Sequence, residues 1–302
     1  MSSAGSEMEV EHITVVGSGT MGLGIAQVAA MGGFMTTVFD VSEEQLNLAS
    51  ERITKNLAKA VELGKIGRDE ALAAEQLIQT TTDFDEAMMA TDMLIEAIPE
   101  NLEMKQDLFR RADALLKDRA ILATNTSGLS ITEIGQATGR PDRVIGMHFF
   151  NPVHIMKLIE IIRSADTSDA TLEITECVSA AMGKQTVRVN ESAGFVTSRI
   201  NALIGNEAFR MWHEGIASPE DIDKALKLGL NHPMGPFELV DLVGLDVRTA
   251  SLANLHEHLG ETYKACPIIS ELVAAGRLGR KAGHGVYRYE DGKRVPGSGT
   301  LP

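Results

Sequence analysis

Two residues in this chain have types and settings that could do acid–base chemistry. His148 closes the apolar run Val144-Ile145-Gly146-Met147 and precedes Phe149-Phe150-Asn151-Pro152. At the carboxyl end of a strand in an open parallel sheet, a side chain faces bound ligand. An imidazole there carries protons at neutral pH. On its own, a strand-end histidine is more often structural. Glu160 changes the balance, because it lies in Leu158-Ile159-Glu160-Ile161-Ile162, an otherwise apolar strand. Burying a carboxylate is costly without a partner. A nearby imidazole would be that partner, and the carboxylate would fix its tautomer and stabilise the imidazolium formed on proton uptake.

A second pattern concerns phosphates. Gly17-Ser18-Gly19-Thr20-Met21-Gly22 is a GxGxxG that follows the strand-like run Ile13–Val16 and opens a helical stretch. That context is what the dinucleotide fingerprint requires. Gly17 would allow the tight turn, Gly19 would let the backbone approach a pyrophosphate, and Gly22 would let helix and strand pack closely. The helix N-terminus offers unpaired N–H groups to the phosphates. Asp40 follows the last glycine by 18 residues and ends the second strand. An acid there accepts hydrogen bonds from both ribose hydroxyls and repels a 2′-phosphate. Val41 and Ser42 supply no arginine to offset that repulsion, so the cofactor expected is NAD rather than NADP. Thr124-Asn125-Thr126-Ser127 sits directly after the run Ala120–Ala123. Its hydroxyls and amide suit a substrate oxygen or the nicotinamide ribose.

The elements that must position these groups alternate. Strand-like runs at 13–16, 36–41, 93–98, 120–124, 143–149 and 156–162 are separated by helical stretches. One of these, Glu43–Leu63, repeats Leu46, Ala49, Ile53, Leu57 and Ala60 at helical spacing. Alternation of this kind implies crossover connections and an α/β fold with a mostly parallel sheet covered on both faces. Near Val189 the rhythm changes. Phe195–Glu214 reads as one long helix, and Ser218-Pro219-Glu220-Asp221 is a capped helix start. The expectation is an α/β domain over 1–189 and an all-helical C-terminal domain over 190–302. The tail after Asp291 is expected to fray.

Bulk properties set the outer bounds. The 302 residues fit about two domains. Lys+Arg 28 minus Asp+Glu 42 leaves −14, which argues against a nucleic-acid binder. Cys177 and Cys266 lack metal-ligand spacing and read as two buried thiols of a reducing compartment. No metal site is expected. No apolar run is long enough to span a membrane. The leader MSSAGSEMEVEH has neither a cationic start nor an apolar core, so no secretion signal is expected and a cytoplasmic protein is the default.

The order GSGTMG, Asp40, Glu96-Ala97-Ile98-Pro99-Glu100-Asn101 with Lys105, NTS, HFFNPV and MKLIEI resembles the L-3-hydroxyacyl-CoA dehydrogenases. The later GFV, PMGPFEL and GRKAGHGVY blocks resemble that family too, so the likeness runs from about Ile13 to Tyr289. It is nearest to the stand-alone bacterial 3-hydroxybutyryl-CoA dehydrogenases. The resemblance implies a Rossmann-type domain, a helical domain that forms much of a homodimer contact, and reversible NAD-dependent oxidation of a 3-hydroxyacyl-CoA. By matched motif position, His148 takes the role of catalytic base, Glu160 that of its acidic partner, and Ser127 that of the substrate-hydroxyl contact. Glu100, Lys105, Ser127, Asn151 and Lys281 fall on cofactor-contacting positions.

One departure is Ser198, which stands where many members carry an asparagine near the thioester oxygen. Asn201, on the same helix face, could take over that contact. Lys55 and Lys59, one helical turn apart after Asp40, are the basic candidates for the CoA adenine end, unless they form only a solvated face. The alternative function is a dehydrogenase of the same plan that acts on a hydroxy acid or sugar acid without CoA. An NAD-binding protein without catalysis has no need of His148 and Glu160.

Overall fold

The computed structural model describes residues 10–301. Residues 1–9, most of the leader, lie outside them, so the expectation about secretion is not addressed there. The chain divides into two compact units, one ending at Ser192 and one beginning at Ala193.

The first unit runs β1 His12–Val16, α1 Thr20–Met31, β2 Met35–Phe39, α2 Glu43–Glu62, α3 Arg68–Gln76, β3 Ile78–Thr81, α4 Phe84–Met89 and β4 Met93–Glu96. It continues with α5 Leu102–Asp113, β5 Ile121–Thr124, α6 Ile131–Gly135, β6 Val144–Phe149, β7 Leu158–Arg163, α7 Asp169–Ala181 and β8 Gln185–Asn190. The strands form one sheet in the order β3-β2-β1-β4-β5-β6-β7-β8. Every neighbouring pair is parallel except β6 and β7, which are antiparallel. Only residues 150–157 join those two, too few for a crossover helix, so the chain must turn straight back.

The expected strands are all present, and β3 and β8 are additional. Both lie at the sheet's edges and are largely exposed. They lack the continuous apolar run that marks a strand covered on both faces. Helix α2 follows its sequence pattern: Ser42 accepts from the Gln45 N–H as N-cap, and Leu46, Ala49, Ile53 and Leu57 are buried. Each of the larger three contributes roughly 1.5–3 kcal/mol by burial. Cys177 corrects an expectation. It is exposed, because α7 buries Thr171, Leu172, Thr175 and Val178 and turns Cys177 away, whereas Cys266 is buried.

The second unit runs α8 Thr197–His213, α9 Pro219–Gly229, α10 Pro236–Val243, α11 Leu245–Leu259 and α12 Pro267–Ala274, followed by β9 Tyr289–Glu290 and β10 Lys293–Arg294. It is therefore not purely helical. Asp291 and Gly292 both have positive φ, 49° and 73°, and turn β9 back on β10 as an antiparallel pair. The tail is not frayed over the described residues either. Ser298 is buried and donates to the Val295 carbonyl, and the Thr300 carbonyl accepts from Arg277.

A buried acid ties this end of the chain down. Asp241 of α10 accepts from the Val286 N–H at 2.7 Å, the Tyr287 N–H at 2.9 Å and the Tyr289 hydroxyl at 3.0 Å. The packing is close enough that a Cβ on Gly285 would lie 2.0 Å from Asp241 Oδ1. Among the described residues, no helix is long and apolar enough to cross a membrane, and no cluster of three His, Cys, Asp or Glu could hold a metal.

Candidate active site

Strands β1, β4, β5 and β6 run in parallel, so their carboxyl ends share one rim of the sheet. The glycine turn, Glu96, the Thr124–Ser127 loop and His148 all lie there. The strand order reverses between β1 and β4, the crevice where doubly wound sheets take ligands.

His148 and Glu160 face each other as register partners of the antiparallel β6–β7 pair. His148 Nδ1 lies 2.7 Å from Glu160 Oε2. Glu160 is fully buried and His148 is 8% exposed. The imidazole also packs on the Phe150 ring at 4.6 Å. Asn125 is a structural member of its hydroxyl-rich loop, since its Oδ1 accepts from the Phe149 N–H at 2.9 Å and ties the end of β5 to the end of β6.

The glycine turn has the geometry a pyrophosphate needs. Gly17 has φ +100°, and a Cβ there would meet the Ala97 carbonyl at 2.7 Å. A Cβ on Gly22 would lie 1.8 Å from the Gly17 carbonyl. The chain itself therefore requires these two glycines. Gly19 differs, because its missing Cβ faces open space with nothing within 4 Å. Gly19 is also the N-cap of α1 and provides no side-chain acceptor, which leaves the first-turn N–H groups to a ligand. Beside it opens a cavity of about 850 Å³, lined by Gly17, Gly19, Thr20, Met21, Asp40 and Ile98 among others.

Asp40 Oδ2 accepts from the Ser18 N–H and hydroxyl at 2.8 and 2.7 Å, and Oδ1 accepts from the Ser42 N–H at 3.1 Å. Burial works to raise its pKa, but these bonds together hold the carboxyl below its ordinary value. The acid on this cavity wall is thus an anion at neutral pH.

Glu100, Lys105 and Ser127 come together. Glu100 Oε1 accepts from the Thr126 hydroxyl at 2.5 Å, and from the Ser127 N–H and hydroxyl at 2.9 and 3.2 Å. Glu100 Oε2 lies 3.3 Å from Lys105 Nζ. The ammonium of Lys105, 1% exposed, lies 2.6 Å from Glu96 Oε1. Glu96 is the residue that sequence reasoning missed. The available signal was the one that selected Glu160: an acid in an apolar strand, here Met93-Leu94-Ile95-Glu96. Burial pushes its pKa up, against the opposing effects of Lys105, Thr124 and the Ile98 N–H.

The remaining candidates are spread out. Asn151 lines a second cavity of about 320 Å³ with Thr20, Arg52, Lys55, Asn56 and His154. Lys59 is not on that wall and pairs instead with Glu62 at 2.8 Å on the exposed face of α2. In the second unit, Asn201 lines a cavity of about 340 Å³ with Thr197, Ile200, His232 and Met234, and Ser198 does not. Lys281 pairs with Asp246 at 2.6 Å.

Comparison with known proteins agrees with this geometry. Residues 12–192 match the family model described as 3-hydroxyacyl-CoA dehydrogenase, NAD binding domain, and residues 194–289 match the model of that family's C-terminal domain. A probable 3-hydroxybutyryl-CoA dehydrogenase of Bacillus subtilis is 44% identical over 285 residues, covering 94% of this chain and 99% of the relative. The human mitochondrial hydroxyacyl-coenzyme A dehydrogenase is 40% identical, covering 96% of this chain and 94% of the relative. Among solved structures, the (S)-3-hydroxybutyryl-CoA dehydrogenase PaaH1 of Ralstonia eutropha superposes with a TM-score of 0.91 at 40% identity, covering 93% of this chain and all of that one. With a cradle that fits a dinucleotide and both family models matched in order, the chain belongs to the 3-hydroxyacyl-CoA dehydrogenase family and has NAD as its cofactor.

Proposed function

We propose that this protein oxidises (S)-3-hydroxyacyl-CoA, with 3-hydroxybutyryl-CoA as the preferred substrate, to the 3-ketoacyl-CoA, and catalyses the reverse reduction. The observation that carries the reading is the His148–Glu160 pair, 2.7 Å apart on the rim that also bears the glycine turn. NAD, when bound, accepts the hydride from C3. The residues of the chain do the rest. Glu160 holds the Nδ1–H of His148, so the proton of the 3-hydroxyl passes to Nε2. The carboxylate then stabilises the imidazolium. Ser127 holds the same hydroxyl from the loop after β5. General base catalysis of this kind contributes about 10²–10⁴ in rate.

Lys55 and Arg52, on the wall of the second cavity, are the cations for the CoA phosphates. Asn201 takes the thioester contact in place of Ser198. The second unit supplies the homodimer contact, for which its exposed apolar residues Ile200, Leu228, Leu230, Leu242 and Val247 are suited. The place of action is the cytoplasm, in fatty acid or butyrate metabolism.

Oxidation of NADH by acetoacetyl-CoA, compared with free acetoacetate, tests the reading. Preference for the thioester is expected. Preference for the free acid would move the assignment to a dehydrogenase of CoA-free hydroxy acids.

A further inference from the structure

The Glu96–Lys105 pair sits where the sheet order reverses, and the chemistry described above does not use it. Glu96 is the register partner of Val16, the residue before the glycine turn, and of Thr124, the residue before the Asn125–Ser127 loop. It therefore lies between the two strand ends that carry the cofactor-side residues. All of its acceptor capacity is directed inward. Oε1 accepts from the Ile98 N–H at 2.7 Å and from Lys105 Nζ at 2.6 Å, and Oε2 accepts from the Thr124 hydroxyl at 2.6 Å. Both side chains are essentially dry, at 0% and 1% exposed. A dry ion pair of this kind is at best weak evidence for stability, since its desolvation can exceed its attraction. Its position offers another reason for it.

We propose that Glu96 is a positioning residue for the dinucleotide: through Lys105 it aims Glu100, and through Glu100 it fixes the Thr126–Ser127 loop. Each link has a contact. Lys105, held by Glu96, reaches Glu100 Oε2 at 3.3 Å, and the other oxygen of Glu100 gathers Thr126 and Ser127. One inner carboxylate thus orients an ammonium, which orients an outer, 41% exposed carboxylate. Glu96 itself touches neither cofactor nor substrate in this scheme. Neutralising it leaves the ammonium with Glu100 as its charged partner beside the Ile98 carbonyl at 3.4 Å, pulls Glu100 inward and releases its hold on the loop.

The proposal rests on the assignment of Glu100, Lys105 and Ser127 to the cofactor side. Its test therefore reads NADH affinity directly, by fluorescence titration of the full chain, without any acyl-CoA. Glu96→Gln is expected to weaken NADH binding by about fivefold or more. Leu272→Ala, in the core of the second unit, is the control for a general loss of stability. A purely structural role would give Glu96→Gln no larger a loss of NADH affinity than this control, each read at the same interval below its melting temperature. Wild-type affinity in Glu96→Gln, or a loss no larger than in Leu272→Ala, overturns the proposal. If Glu96→Gln does not fold, Thr124→Val, which removes the hydroxyl held by Glu96 Oε2 and leaves Lys105 and Glu100 in place, decides in the same way. A wild-type protein that binds NADH but does not reduce acetoacetyl-CoA would refute the proposed substrate and leave this test intact.

Discussion

Replacing Glu160 by Gln keeps the shape of the side chain and removes one buried charge 2.7 Å from His148 Nδ1. The amide oxygen still accepts from Nδ1–H, so the tautomer persists and only the electrostatic part is lost. At an effective permittivity near 20, a full ion pair with its charges about 4 Å apart is worth about 4 kcal/mol. With the proton about half transferred in the transition state, about 2 kcal/mol is at stake, or about 30-fold in kcat at 1.36 kcal/mol per decade. The assay is loss of NADH absorbance at saturating acetoacetyl-CoA, run beside an NADH titration and a thermal melt. We expect kcat to fall about 30-fold with NADH affinity and melting temperature nearly unchanged. His148→Gln, which removes the base itself, is expected to lose more, within or beyond the roughly 10²–10⁴ range. The reasoning fails if Glu160→Gln stays within about threefold of wild type, or if its kcat falls only as far as its NADH binding does.

Four further outcomes follow from particular contacts. Gly19→Ala places its Cβ in open space and is expected to melt like wild type while binding NAD about tenfold more weakly. Gly22→Ala drives a Cβ into the Gly17 carbonyl and is expected to lose about 1–3 kcal/mol of stability or more, measured by urea unfolding. Equal NAD affinity in Gly19→Ala and wild type would displace the pyrophosphate from this turn. Burial pushes the Asp223 carboxyl up to about 6, against hydrogen bonds from the Phe237 N–H, the Tyr287 hydroxyl and the Glu238 N–H. A raised folded-state pKa gives stability that is present below the unfolded value near 4 and lost as pH rises through about 6. The melting temperature of wild type relative to Asp223→Asn should therefore decline across that window, and a flat or rising difference would contradict it. Arg248 lies on the buried stripe of α11 with Leu245, Leu252 and Leu255, 4% exposed, and its Nε has no hydrogen-bond partner among the described residues. Burial pushes its pKa down to about 10. Arg248→Met is expected to stabilise the protein by about 1–4 kcal/mol in chemical denaturation. A loss of stability would mean that the guanidinium has a partner in the assembled protein.

The chemistry-bearing end of the sheet was legible because the folded chain obeys a cost that is readable residue by residue. An acid inside Leu158–Ile162 needs a partner, and a histidine closing the neighbouring strand is the partner found. The same rule applied to Met93–Glu96 would have pointed to Glu96 and then to Lys105. The resemblance brought in Lys105 by position, without its reason. Strands β3 and β8 were hidden because edge strands carry polar residues on their open side, and Gln185–Asn190 has no apolar run. Strand direction leaves no trace in periodicity, so the antiparallel β7 had to be read from the short 150–157 link. The turn that returns the tail to the second unit was written in Asp291-Gly292, a dipeptide suited to two successive positive φ values. Its composition of Gly, Pro and Ser obscured that signal.

The buried carboxylate of Asp241 also has a consequence for how the protein is made. Its main-chain and phenol donors, Val286 to Tyr289, follow it by 45 to 48 residues. A nascent chain emerging from the ribosome therefore presents the acid well before anything can neutralise its demand for donors. Until residues 286–289 arrive, water must solvate that carboxylate, and α10 cannot settle into its dry environment. Completion of the second unit is thereby coupled to the emergence of residues 286–289.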